Sequence, residues 1–279
     1  MREPLDGDRF DAGIAEDDLV EAGRGRVAIE RGLNIAGGNE VLSGANTYTG
    51  ATAVAIGANL ELSGSGSIAA SSGLVNNGTF DIAATNNGAE VQSLSGSGAV
   101  LLGGQTLTLT NAHDSFAGVI QGNGGLNVAG GNEVLSGVNT YTGATNVAQW
   151  STLELSGSGS IAASSGLVNN GSFDIAATNN GAEVQSLSGS GAVLLGGQTL
   201  TLTNAGGDFA GVIQGNGGLN VAGGSEILSG TNAYTGATTI NAGTLTLGNA
   251  FALQDSTLAV PTSTVRSLSF STPAARALR

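Results

Sequence analysis

The chain has no cysteine, one tryptophan and three prolines in 279 residues. The missing cysteine excludes disulfides, thiolate-bound zinc, iron–sulfur clusters and thiol catalysis. Lysine and arginine are absent from 32–265. A surface without cations cannot neutralise phosphates, which argues against nucleic acid as a partner. An anionic membrane surface would repel it as well. No stretch of about 20 apolar residues is present, so direct membrane insertion by a helix is not expected. Met1-Arg-Glu-Pro-Leu-Asp6 is followed by no apolar run, so no signal peptide is read here.

Glycine, by contrast, is abundant: 48 residues, more than twice the usual share of about 7%. Collagen is excluded because glycine does not recur at every third position and proline is scarce. A disordered linker is excluded because 40% of residues are apolar. The net charge of −13 is unevenly spread. Segment 1–31 mixes nine acids with five arginines, and 32–250 carries eleven acids and no base.

The organising feature is a repeat. Leu42-Ser-Gly-Ala-Asn-Thr-Tyr-Thr-Gly-Ala-Thr52 returns, slightly varied, at Leu135 and again at Leu228. Both offsets are 93 residues. Copies 32–124 and 125–217 align without a gap and differ at 11 positions. Eight of those fall in two short stretches, 53–59 and 113–115. A third copy begins at Gly218 and diverges after about Ile240.

Each copy is a string of short strand-like runs between Gly-, Asn- and Ser-rich turns. Leu60 and Leu62 flank Glu61, and Phe80 and Ile82 flank Asp81. A period of two sends the apolar residues inward and the acids outward. No amphipathic helix interrupts the series. Gapless duplication and the absence of proline from 5–260 point to an all-β solenoid, a right-handed parallel β-helix. At about 20–25 residues per coil, about ten coils are expected, with glycine and asparagine at the corners.

Leu228-Ser-Gly-Thr-Asn-Ala-Tyr-Thr-Gly-Ala-Thr-Thr-Ile-Asn-Ala-Gly-Thr-Leu-Thr-Leu-Gly-Asn249 closely resembles the autotransporter-associated β-strand repeat of type V secreted passengers in Gram-negative bacteria. The segments from Leu42 and Leu135 match its first half. The resemblance implies a surface-exposed or secreted β-helical stalk for adhesion, aggregation or display, and it carries no catalytic residues. A full member would add a signal peptide and a C-terminal translocator barrel, so a segment of a longer protein or a truncated gene product is expected.

Candidate chemistry is sparse. His113-Asp114-Ser115 holds the residue types of a hydrolase triad, but strand neighbours face opposite sides and cannot form the relay. Glu61, Asp81, Glu90 and their counterparts Glu154, Asp174 and Glu183 read as outward acids. As a glycosidase pair or a calcium site they form the alternatives. Thr106, Thr108 and Thr110 repeat only at Thr199, Thr201 and Thr203, too rarely for an ice-binding array. Tyr48, Tyr141 and Tyr234 share one repeat position, where surface contact competes with packing over a coil corner. Trp150 replaces Gly57 and is a candidate contact residue.

The expected organisation is a charged, irregular segment 1–31, a β-helix over 32–271 and a tail 272–279. Within the helix lie copies 32–124 and 125–217, a partial copy 218–250 and a degenerate continuation 251–271. The expected role is non-enzymatic and cofactor-free. Glycans, host surface proteins or further copies of the chain are the expected partners. A β-helical polysaccharide-active enzyme is the alternative, as is a gene remnant with only a structural role.

Overall fold

The computed structural model describes residues 32–259 and the strand Arg266–Phe270. The expectations for 1–31 and 272–279 lie outside the described residues. Every regular element described is a strand, and the strands pair in parallel. No helix among the described residues is long and apolar enough to cross a membrane. The strands stack into a β-solenoid of about 11 turns. Coils span 18 residues where Ala89 pairs with Leu107 and 23 where Gly243 pairs with Arg266. The shorter coils fall below the expected 20–25 residues, so about 11 turns form where about ten were expected.

Each coil has three faces, and the strands form three rows along the axis. Row one runs through Leu33–Ile35, Thr52–Val54, Leu74–Asn76 and Leu94–Ser95. The bridge from Gly96 to Phe116 carries it on to Ser115–Phe116, Asn132–Leu135, Thr152–Gly157 and Ser172–Thr178. Row two begins with Asn39–Leu42, Asn59–Gly64, Thr79–Thr85, Ala99–Leu101 and Val119–Gln121. After an irregular stretch it resumes at Ala182–Val184, Leu200–Leu202 and Leu219–Val221. Row three holds Ala89–Val91, Leu107–Leu109, Leu126–Val128, Thr145–Val147 and Leu167–Asn169.

One consequence was not expected. Four full coils lead along row one from Leu33 to Ser115, and two further faces lead to Leu126 in row three. The 93-residue repeat is therefore not a whole number of coils. Leu33, Leu126 and Leu219 lie in rows one, three and two. Each copy is turned by one face relative to the last, so equivalent residues form no straight line along the rod. Thr108 and Thr201, for example, sit on different faces.

The core fills the axis with stacked aliphatic and phenyl side chains. Leu60, Phe80, Val100 and Ile120 pair one above the next and are fully buried. Leu153, Phe173, Val193 and Ile213 repeat that stack on row one. Glu61 and Asp81 point outward between them, as the alternation requires.

Corners are tight because glycine permits close approach. Gly78, Gly98, Gly118 and Gly137 stack in one column; a Cβ on Gly118 would lie 1.9 Å from the Gly98 carbonyl oxygen. No larger residue fits there.

Candidate binding surface

The repeat motif builds a buried clasp. The Tyr141 hydroxyl lies 2.6 Å from Thr145 Oγ1, which donates to Ser164 Oγ at 2.9 Å. Ser164 donates in turn to the Gly143 and Gly166 carbonyls, so the tyrosine donates to the threonine. Tyr48, Thr52 and Ser71 repeat this relay, as do Tyr234, Thr238 and Ser256. Burial raises the pKa of all three phenols. Tyr141 and Tyr234 are each 1% exposed, so they are core residues and offer no contact surface. Tyr48 is half-buried and packs against the core.

Asparagine closes the preceding corner. Asn139 Oδ1 accepts from the Ile120 amide at 2.9 Å, and its Nδ2 donates to the Gly137 and Ser160 carbonyls. Asn232 takes the same amide role at Ile213. The side chain substitutes for a missing strand partner.

Glu133 and Glu226 are the surprise of the interior, both 0% exposed. Asp114 sits directly beneath Glu133 in row one. Neither Glu133 oxygen has a hydrogen-bond partner among the described residues, nor does Glu226 Oε1. Burial pushes Glu133 up to about 9, helped by Asp114 and offset by the Leu94 backbone. Burial pushes Glu226 up to about 8, against the Gly207 amide and with Asp208. Sequence reasoning missed both. The signal was the period of two counted back from Leu135 and Leu228, which places these acids inside.

Trp150 stands apart. It lies at the tip of a turn closed by the Ser151 amide donating to the Ala148 carbonyl. Its side chain is 89% exposed. Its φ of 69° is the only positive value at a non-glycine residue among those described. The other two copies place Gly57 and Gly243 there, at φ 80° and 86°. An L side chain in that region costs about 1–2 kcal/mol, and an exposed indole recovers none of it by packing.

The triad types do not converge. His113 Nε2 is 3.8 Å from Asp114 Oδ2, while Asp114 accepts from Ser93 Oγ at 2.6 Å. No hydrogen bond joins His113 to Ser115 among the described residues. Glu61 and Asp81 lie on neighbouring coils, as do Glu154 and Asp174, all on outer faces. Asp81 borders an open depression with Gln121, Asn123, Thr140 and Thr142. Glu90 and Glu183 line matching notches of about 310 and 320 Å³, each beside a Gly-Ser-Gly-Ser corner. Among the described residues no three His, Asp or Glu side chains converge as metal ligands.

The passenger-associated-transport-repeat family model matches residues 37–58, 130–149 and 223–247. The chain carries autotransporter passenger repeats. Each matched segment holds the glutamate position, buried at Glu133 and Glu226 and half-buried at Glu40, together with the clasp tyrosine. The chain is also 35% identical to the Adhesin BmaC autotransporter of Brucella suis biovar 1 (strain 1330). That match covers 76% of this chain and 6% of the relative, so the chain spans a small part of the relative's length. No solved structure matches the chain. The Tyr–Thr–Ser clasp within each passenger repeat is an internal fastening, while Ile56, Gly57, His113, Gln149 and Trp150, at positions where the two full copies differ, stand exposed.

Proposed function

We propose that the chain is a non-enzymatic segment of a surface-exposed passenger, a rigid β-helical stalk that serves adhesion, self-association or display. The observation that carries this reading is the stack of parallel coils with three passenger repeats spaced along it. The adhesin name of the relative supports it. About eleven coils at about 4.8 Å each make a rod roughly 50 Å long. Because each copy is turned by one face, the rod presents equivalent turns in three directions. Weak contacts to glycans, host surface proteins or other copies then sum to avidity from more than one approach. A location at the cell surface or outer membrane follows from the same reading. So does a translocator barrel elsewhere in the full protein.

Particles coated with the purified chain test it. Attachment to cells or matrix, or clumping of the particles, is the expected result. Coated particles that bind neither cells, matrix nor each other would overturn adhesion and leave a passive spacer.

A further inference from the structure

Trp150 occupies a position that the fold reserves for glycine. Gly57 and Gly243 satisfy the same turn without strain, and a Cβ at Gly57 meets nothing within 4 Å. The tryptophan therefore adds strain and exposed apolar area and contributes nothing to packing. Strain retained at a solvent-facing aromatic points to a role outside the fold.

The surroundings define what the ring would meet. Trp150 lies at the corner between rows three and one. The pairing of Asn132 with Thr152 sets Gly130 and Gly131 in the turn beneath it, and in the turn above Gly171 lies over Ala148 and Ser151, with Asn170 beside it. Gly130 has no side chain to cover the indole. Gln149 and Asn170 are both exposed. Asn170 uses its Oδ1 to accept from Ser190, at 3.2 Å from the amide and 3.3 Å from the hydroxyl. Its Nδ2 faces no described partner. The edge thus combines one flat apolar ring with carboxamide donors and acceptors, on a body without Lys or Arg from 32 to 265.

A sugar ring is complementary to this edge. Its C–H face covers an aromatic platform, and its hydroxyl rim takes the amides. A sialylated or sulfated glycan would face the acidic rod with no cation to receive it. We propose that Trp150 anchors a neutral glycan, with Gln149 and Asn170 meeting the hydroxyls around the stacked sugar. The inference rests on the adhesion reading and names the partner class.

Because Trp150 is the only tryptophan, its fluorescence reports the site directly. The full chain is titrated with lactose, N-acetyllactosamine and mannotriose as neutral probes, and with sialyllactose and a heparin oligosaccharide as anionic ones. A neutral probe is expected to shift or quench the emission. Trp150→Gly is expected to bind that probe about tenfold or more weakly, while melting no lower than the parent chain. Trp150→Phe retains part of the binding. Unchanged emission with every neutral probe, while coated particles still adhere, overturns the site and leaves adhesion standing. Emission that responds while particles fail to adhere keeps the site and removes adhesion. Stronger response to the anionic probes overturns the neutral class. Adhesion that survives glycosidase treatment of the cells but is lost in Trp150→Gly assigns the ring to a protein partner and overturns the glycan.

Discussion

The Tyr141 hydroxyl donates to Thr145 Oγ1 across 2.6 Å, and both side chains are buried. The pair ties the corner of one coil to Ser164 on the next. Removing the hydroxyl leaves Thr145 without its donor. Tyr141→Phe should cost about 1–2 kcal/mol, and Tyr141→Ala about 3–5 kcal/mol from the cavity. Tyr48→Phe should cost less, because Tyr48 is half-buried. Urea midpoints of the three variants check the order.

Glu133 and Glu226 should make the rod less stable in base. Each holds its proton in the fold to a pH well above the ordinary 4.5, to about 9 and about 8. The unfolded chain releases those protons near pH 4.5. Their contribution is therefore fully present below about pH 4.5 and lost as pH rises through 8 and 9. The slope is at most about 1.4 kcal/mol per pH unit for each group. Glu133→Gln should flatten the profile and raise the denaturation midpoint at pH 8. An unchanged slope in the double Gln variant would place the protons elsewhere.

Glycine substitutions should separate by position. Gly98→Ala brings a Cβ to 2.2 Å from the Gly78 oxygen, backbone against backbone. Overpacking of this kind costs about 1–3 kcal/mol or more. Gly104 has open space around its Cβ position and no positive φ. Gly104→Ala should be neutral or stabilise by up to about 1 kcal/mol. Melting temperatures of the two variants should move in opposite directions or differ widely.

Excision of 125–217 should leave a folded rod. The deletion joins Gly124 to Gly218, and the third copy then follows the first as the second does now. The removed length is four coils and two faces, roughly 22 Å of stack. Small-angle scattering should show a shorter rod with an unchanged cross-section. A molten or aggregated product would mean that the copies are not interchangeable.

Much of this architecture was legible in the residues. Alternation placed Leu60, Leu62, Phe80 and Ile82 inside and Glu61 and Asp81 outside, and they are so placed. The same alternation put Glu133 inside, while the chemistry of a carboxylate argued for outside. Register prevailed, since slipping one residue would expose Leu135. The tyrosines were ambiguous because a shared repeat position says nothing about burial. The Tyr–Thr–Ser relay needs Ser164, nineteen residues from Thr145, and only coil closure brings it there. Trp150 was visible as a substitution, but its strain was not, because φ belongs to the turn.

The sequence alone determined the class of fold. Strand alternation, turn residues and the 93-residue repeat are local properties, and the lack of cations is a matter of composition. Tertiary structure decided where each copy points. A coil closes only when about twenty residues meet the coil below, and its length varies from 18 to 23 residues. Those variations add up over a repeat to four turns and two faces, so identical residues face three ways. That sum over coil lengths cannot be read from any single stretch of chain.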